Sequence, residues 1–132
     1  MNITIDTSAL IAVIGNEESK EKLVEITVGY SLCAPSSVHW EIGNAFSAMF
    51  KRDSATIENA RAAIAAYQKI PIGFIEVSLE KALEWSSKLN IYAYDAYLIQ
   101  CSLQTSTALL TLDRGLILAA SKAGIECMEI TQ

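Results

Sequence analysis

Four acidic side chains carry most of the chemistry open to this chain. Asp6, Glu41, Asp95 and Asp113 are far apart in sequence, yet each falls at a boundary between local patterns. Asp6 closes the alternating, β-rich run Asn2 to Ile5, and Asp113 closes the one that starts at Ala108. Asp95 stands at a helix start, where free backbone N–H groups and the helix dipole favour an anion. Glu41 lies about one turn into a long helix that follows Pro35. Ligands of open parallel sheets bind beyond the carboxyl ends of the strands. All four acids are therefore expected on one rim. Carboxylates within ~4–6 Å of each other raise one another's pKa and cannot all ionise cheaply. They must share protons or hold a divalent cation. Oxygen-only ligation selects a hard ion, Mg2+ or Mn2+, over zinc. Such an ion can generate hydroxide and stabilise the leaving oxygen of a phosphodiester.

Each acid also has a simpler reading. Asp6 and Asp95 can cap helices, and Asp113 can be a turn acid before a helix. Glu41 is harder to explain this way, because it lies in a largely apolar segment where a charge needs a partner. Ser8 and Thr111 lie two residues from Asp6 and Asp113, where they can orient a water or cap the neighbouring helix. Asn44 follows Glu41 by three residues and can face the same side. His39 is the only histidine, so serine-triad, His–zinc and His-base chemistry would all rest on it. Cys33, Cys101 and Cys127 are odd in number and widely spaced, which suits reduced core thiols.

The elements that must position these residues alternate along the chain. A strand at Asn2–Ile5 leads to a short helix at Ala9–Ile14, and Glu17–Ile26 reads as a second helix. Ser31–Ala34 is a short strand closed by Pro35, and a long helix capped by Ser36 or Ser37 runs to about Arg52. An alanine-rich helix spans Ala55 to about Lys69. Phe74–Val77 reads as a strand, and Ser78 caps a helix to Leu89 with Asn90 at its exit. A helix from near Asp95 to about Gln104 precedes a strand at Ala108–Thr111. Arg114–Ala123 is a helix stopped by Gly124, and Cys127–Ile130 reads as a last strand. The alternation calls for one domain, residues 1–132, built as a three-layer α/β/α sandwich around a mostly parallel sheet of four to five strands.

Bulk composition narrows the function classes. A chain of 132 residues that is 52% hydrophobic, with 2 Pro and 6 Gly, is neither disordered nor collagen-like. No apolar run approaches the ~20 residues needed to cross a bilayer. No basic residue precedes Lys20, so neither a secretory signal nor a membrane role is expected and the expected compartment is the cytoplasm. The net charge of −5 argues against a broad basic surface for nucleic acid. It leaves nucleic acid open as a substrate where cations neutralise part of the acid.

The sequence resembles PIN-domain ribonucleases, and most closely the VapC-type toxins of type II toxin–antitoxin pairs. Four segments carry the resemblance in the family's order: Ile5-Asp6-Thr7-Ser8-Ala9-Leu10, Glu41-Ile42-Gly43-Asn44-Ala45, Tyr94-Asp95-Ala96-Tyr97-Leu98 and Leu110-Thr111-Leu112-Asp113-Arg114. The resemblance implies that Asp6, Glu41, Asp95 and Asp113 bind one or two Mg2+ or Mn2+ ions and cleave RNA endonucleolytically. It assigns Ser8 and Thr111 to the hydroxyl positions beside the first and last acids. It also implies a homodimer, and an antitoxin whose tail lies in a groove near the third and fourth helices. Here that groove would involve Phe46, Phe50 and the segment Ala60 to Ala66, which simple close helix packing explains equally well. Arg114, Lys51, Arg52 and Arg61 are the candidate RNA contacts. For Lys51 and Arg52 the competing explanation is a favourable cationic helix end.

Arg114-Gly115-Leu116-Ile117 follows Asp113, where some family members carry a further acid, so a second metal site would be weaker here. A family member that processes RNA without being a toxin shares the same residues. A haloacid-dehalogenase-like phosphatase would need a second acid two residues after Asp6, and Ser8 stands there. A receiver-like signalling domain would need a phosphoacceptor at the end of a middle strand, which Glu76-Val77-Ser78 does not offer.

Overall fold

The structure, a computed structural model, describes residues 1–130. The chain begins with β1 (Asn2–Ile5), α1 (Thr7–Ile14) and α2 (Lys20–Thr27), followed by β2 (Ser31–Pro35). Two helices come next, α3 (Ser37–Lys51) and α4 (Ile57–Gln68), and then β3 (Ile72–Ile75). The remainder is α5 (Leu79–Leu89), α6 (Ala93–Thr105), β4 (Ala108–Leu110) and α7 (Arg114–Lys122). The strands form one parallel sheet in the order β3-β2-β1-β4. This is the α/β/α sandwich that the alternation of elements calls for.

Burial on both faces of the sheet explains the composition of its centre. Ile3 and Ile5 share one face of β1 and Thr4 takes the other, and all three are buried. On the Thr4 face, α6 lies against β1, β2 and β4, and α5 packs on α6. There the Thr4 hydroxyl sits 3.5 Å from the Cys33 Sγ and 3.7 Å from the Cys101 Sγ. Burial pushes the Cys101 thiol up to about 12, and all three cysteines are free, as expected of reduced thiols. Elsewhere α1 packs on α2, α3 and α4, burying Leu10, Leu23, Ile42 and Phe46.

Besides shifts of one or two residues at other element ends, three differences from the sequence expectation stand out. β3 occupies Ile72–Ile75 rather than Phe74–Val77, because Leu32 pairs with Ile72 and Pro35 with Ile75. The second helix starts at Lys20 rather than Glu17, since the chain turns at Asn16, whose φ is 57°. Cys127–Ile130 is not a strand. Only Cys127 pairs, with Leu109, and the sheet therefore has four strands. Asn90 does end α5, in the left-handed conformation with φ 55°. No helix among the described residues is long and apolar enough to cross a membrane.

Candidate active site

Every strand of a parallel sheet ends at the same edge, so helices entered directly from β1, β2 and β4 begin there with exposed N–H groups. Asp6, the first residue after β1, is the N-cap of α1 and accepts from the Ala9 N–H at 3.0 Å. Asp113 is the N-cap of α7 and accepts from the N–H groups of Gly115 and Leu116 at 2.8 and 3.3 Å. Glu41 lies early in α3, and Asp95 in the first turn of α6. The capping reading of Asp6 is therefore correct as far as it goes, and Asp113, read as a turn acid, is a cap as well. Asp95 does not cap α6, whose N-cap is Tyr92.

Asp6 is the most enclosed of the four, 5% exposed. The Ser8 hydroxyl reaches both of its oxygens, at 2.8 and 3.0 Å, and the Thr111 hydroxyl donates to Oδ2. The two hydroxyls also bind the loop after β4. Ser8 Oγ accepts from the Leu112 N–H at 2.9 Å, and Thr111 Oγ1 accepts from the Asp113 N–H at 3.0 Å. The turn after β1 and the turn after β4 are thus locked together around one carboxylate. Burial nevertheless holds the Asp6 carboxyl above its ordinary range, against the lowering effect of its donors, and the charge of Asp113 adds to the rise.

Glu41 is the least satisfied acid. Its Oε2 is buried without a hydrogen-bond partner, as are the hydroxyls of Thr7 and Ser37. Those hydroxyls are close enough to ease its charge but make no bond of normal geometry with it. Burial first, then the charges of Asp6 and Asp95, push Glu41 up to about 7. Asp95 is raised by burial and by Asp113. The acids therefore interact as a closed set: Asp6 with Asp113, Glu41 with Asp6 and Asp95, and Asp95 with Asp113.

Such a set suits a hard cation. Its donors are oxygens alone, one of them a buried orphan, and their mutual repulsion is relieved by positive charge. Among the described residues, no three His, Cys, Asp or Glu side chains stand grouped as a ready-made metal site. The acids share an electrostatic neighbourhood and would have to draw together around an ion.

The remaining candidates are scattered. Asn44 is exposed and makes no hydrogen bond to Glu41 among the described residues. Arg114 opens α7 beside Asp113 and lines a cleft with Thr111 and Leu112. Lys51 ends α3, ten residues beyond Glu41 and so roughly 15 Å along the axis. Arg52 lines a different cleft, with Ile11, Phe46, Met49 and Ala63, and Arg61 is exposed on α4. That cleft contains part of the groove expected between the third and fourth helices, although Phe50 is not among its walls.

Three residues near the acids escaped the sequence reading. Thr7 and Ser37 read only as helix-start residues; Thr7 reaches Glu41 through the docking of α1 on α3, whereas Ser37 stands one turn before it on α3, a spacing that could have marked it. Cys127 feels the charge of Asp6, which together with burial raises its thiol.

Comparison with known proteins agrees with this fold. The family model for the PIN domain matches residues 3–122. No curated protein matches the sequence. Among solved structures, VapBC-1 from nontypeable Haemophilus influenzae is similar with a TM-score of 0.68 at 14% identity, covering 100% of both chains. VapBC2 from Rickettsia felis, bound to a DNA fragment from its promoter, is similar at 0.67 and 14% identity, covering 97% of this chain and 98% of that one. Mycobacterium tuberculosis VapC20, described as a Sarcin-Ricin loop cleaving toxin, is similar at 0.63 and 14% identity, covering 89% and 94%.

Proposed function

Because the chain belongs to the PIN domain family, we propose that it is a cytoplasmic, metal-dependent endoribonuclease and the toxin of a toxin–antitoxin pair. The observation that carries this reading is the orphaned, buried Oε2 of Glu41 facing the repulsion of Asp6 and Asp95. A carboxylate is held in that state at a cost, and the cost is recovered when positive charge arrives.

Asp6, Glu41, Asp95 and Asp113 would hold Mg2+ or Mn2+. When bound, that ion supplies positive charge against the phosphodiester and lowers the pKa of water. The protein's own parts have separate tasks. Ser8 and Thr111 fix the Asp6 carboxylate in one orientation, so it cannot rotate away from the rim. Glu41, titrating near 7, can take a proton at Oε2 at neutral pH. The N-termini of α1 and α7, closed by Asp6 and Asp113, place partial positive charge behind the acids and offset part of their repulsion. Arg114, which lines a cleft beside Asp113, would meet a phosphate.

The structural neighbours from Haemophilus influenzae and Rickettsia felis are described as VapBC assemblies, which supports a protein antitoxin as partner here too. The cleft with Phe46, Met49, Arg52 and Ala63 is where its tail would lie. A homodimer belongs to the same reading. The test is cleavage of total cellular RNA by the purified protein with Mg2+, Mn2+ or EDTA. The reading requires cuts that vanish in EDTA and in Asp95→Asn. Cleavage that survives both would refute it.

A further inference from the structure

A second cleft, away from the acids, lies between α5 and α6 and has about 420 Å³ of space. Lys81, Glu84, Trp85 and Lys88 of α5 form one wall, and Gln100 and Gln104 of α6 form part of the other. The spacing of Lys81, Trp85 and Lys88 puts them on one helical stripe. The Lys88 ammonium stands 5.3 Å from the centroid of the Trp85 ring, a cation–π contact.

Gln100 distinguishes this cleft from an ordinary surface groove. It is a polar side chain only 4% exposed, yet it lines the cavity. Its amide is held in one orientation by a chain of bonds. Gln100 Nε2 donates to Gln104 Oε1 at 3.0 Å, and Gln104 Nε2 donates to the Glu76 carbonyl at 3.1 Å. Gln104 Oε1 also accepts from the Ser78 N–H at 2.8 Å. The loop before α5 therefore clamps Gln104, which in turn clamps Gln100. A fixed amide beside an indole is the equipment for one flat ring with a hydrogen-bonding edge. Two lysines against one glutamate leave the cleft net positive in a chain whose formal charge is −5. Asp95 is on the same helix as Gln100, five residues earlier, roughly 7.5 Å along the axis and about 140° around it, so the cleft opens on a different side of α6 from that acid.

We propose that this cleft is a nucleotide subsite for single-stranded RNA, apart from the cleavage site. A base stacks on Trp85, the Gln100 amide meets its edge, and Lys81 and Lys88 neutralise the flanking phosphates. The proposal rests on the endoribonuclease reading and adds to it a place where substrate is gripped.

Trp40 and Trp85 are the only tryptophans, so Trp40→Phe leaves Trp85 as the sole indole reporter. The probe is a short, mixed-sequence oligoribonucleotide with nuclease-resistant phosphorothioate linkages, titrated with Mg2+ present. Stacking predicts saturable quenching of the Trp85 fluorescence. Trp85→Ala should raise Kd by about tenfold or more, the range for loss of one base–aromatic stack. Because Trp85 also packs against the core, the exposed pair Lys81→Gln/Lys88→Gln gives a second readout. Each lysine lost should reduce the log Kd–log salt slope by about 0.7, the value for a single-strand phosphate contact. With cleavable RNA, these variants should raise KM more than they change kcat. Normal cleavage with no quenching and an unchanged Kd in both variants would overturn the subsite and leave the nuclease reading intact. A change in oligomeric state with unchanged RNA affinity would likewise overturn it, making the cleft a protein–protein face. Absence of RNA binding and cleavage in the parent protein would overturn both readings together.

Discussion

Thr111 donates its hydroxyl hydrogen to Asp6 across a sequence separation of 105 residues, joining the end of β4 to the end of β1. Both side chains are buried, and the same Thr111 oxygen receives the Asp113 N–H. One hydroxyl therefore connects two of the four acids. Thr111→Val keeps the shape and removes both bonds. Stability should fall by about 1–3 kcal/mol in urea unfolding, the cost of leaving buried polar groups unpaired. A change below about 0.5 kcal/mol, the size of an ordinary surface substitution, would mean the contact contributes little.

Glu41 supplies the pH dependence. Its carboxyl is raised from an ordinary 4.5 to about 7, so between those values the folded chain binds more protons than the unfolded one. Stability then falls as pH rises through that window and is greatest below it. Thermal melts in EDTA should show Tm dropping by several degrees from pH 5 to pH 8. Glu41→Gln should flatten that drop and raise Tm at pH 8. A metal-free protein that gains stability over the same range would contradict the account.

Asp113 separates a structural role from a chemical one. Its Oδ1 caps α7, a task asparagine performs equally well. Asp113→Asn should melt within a degree or two of the parent while losing on the order of a hundredfold in cleavage, as when one charge-stabilising group is removed. Asp113→Ala should lose activity and about 1 kcal/mol of stability as well. Full activity in Asp113→Asn would reduce this residue to a cap.

The sequence made the acids' positions legible wherever a local boundary marked them. Asp6 follows an alternating strand, Asp113 a buried one, and each ends where a helix begins. Asn90 and Ser78 marked the limits of α5 for equally local reasons, a tolerated left-handed turn and a side-chain cap. Nonlocal pairing overrode local preference elsewhere. Gly73 is a poor strand former, yet it pairs with Cys33 because β2 needs a neighbour along its length. The apolar segment at Cys127 had the composition of a strand, but β4 is only three residues long and offers it a single partner, Leu109. The strain at Glu41 was hidden for a related reason. It arises from burial and from Asp6 and Asp95, which reach Glu41 from separate elements.

Manganese supplies the most direct probe of the acidic rim, because its paramagnetic resonance reports free aqueous ion. Titrating Mn2+ into the metal-free protein at pH 8 should remove the free-ion signal saturably. Binding should be weaker at pH 6, where Glu41 holds its proton, and should be lost with Asp6→Asn or Asp95→Asn. A free-ion signal that grows in step with added Mn2+, equally in the parent and in both variants, would show that these carboxylates do not gather around a cation.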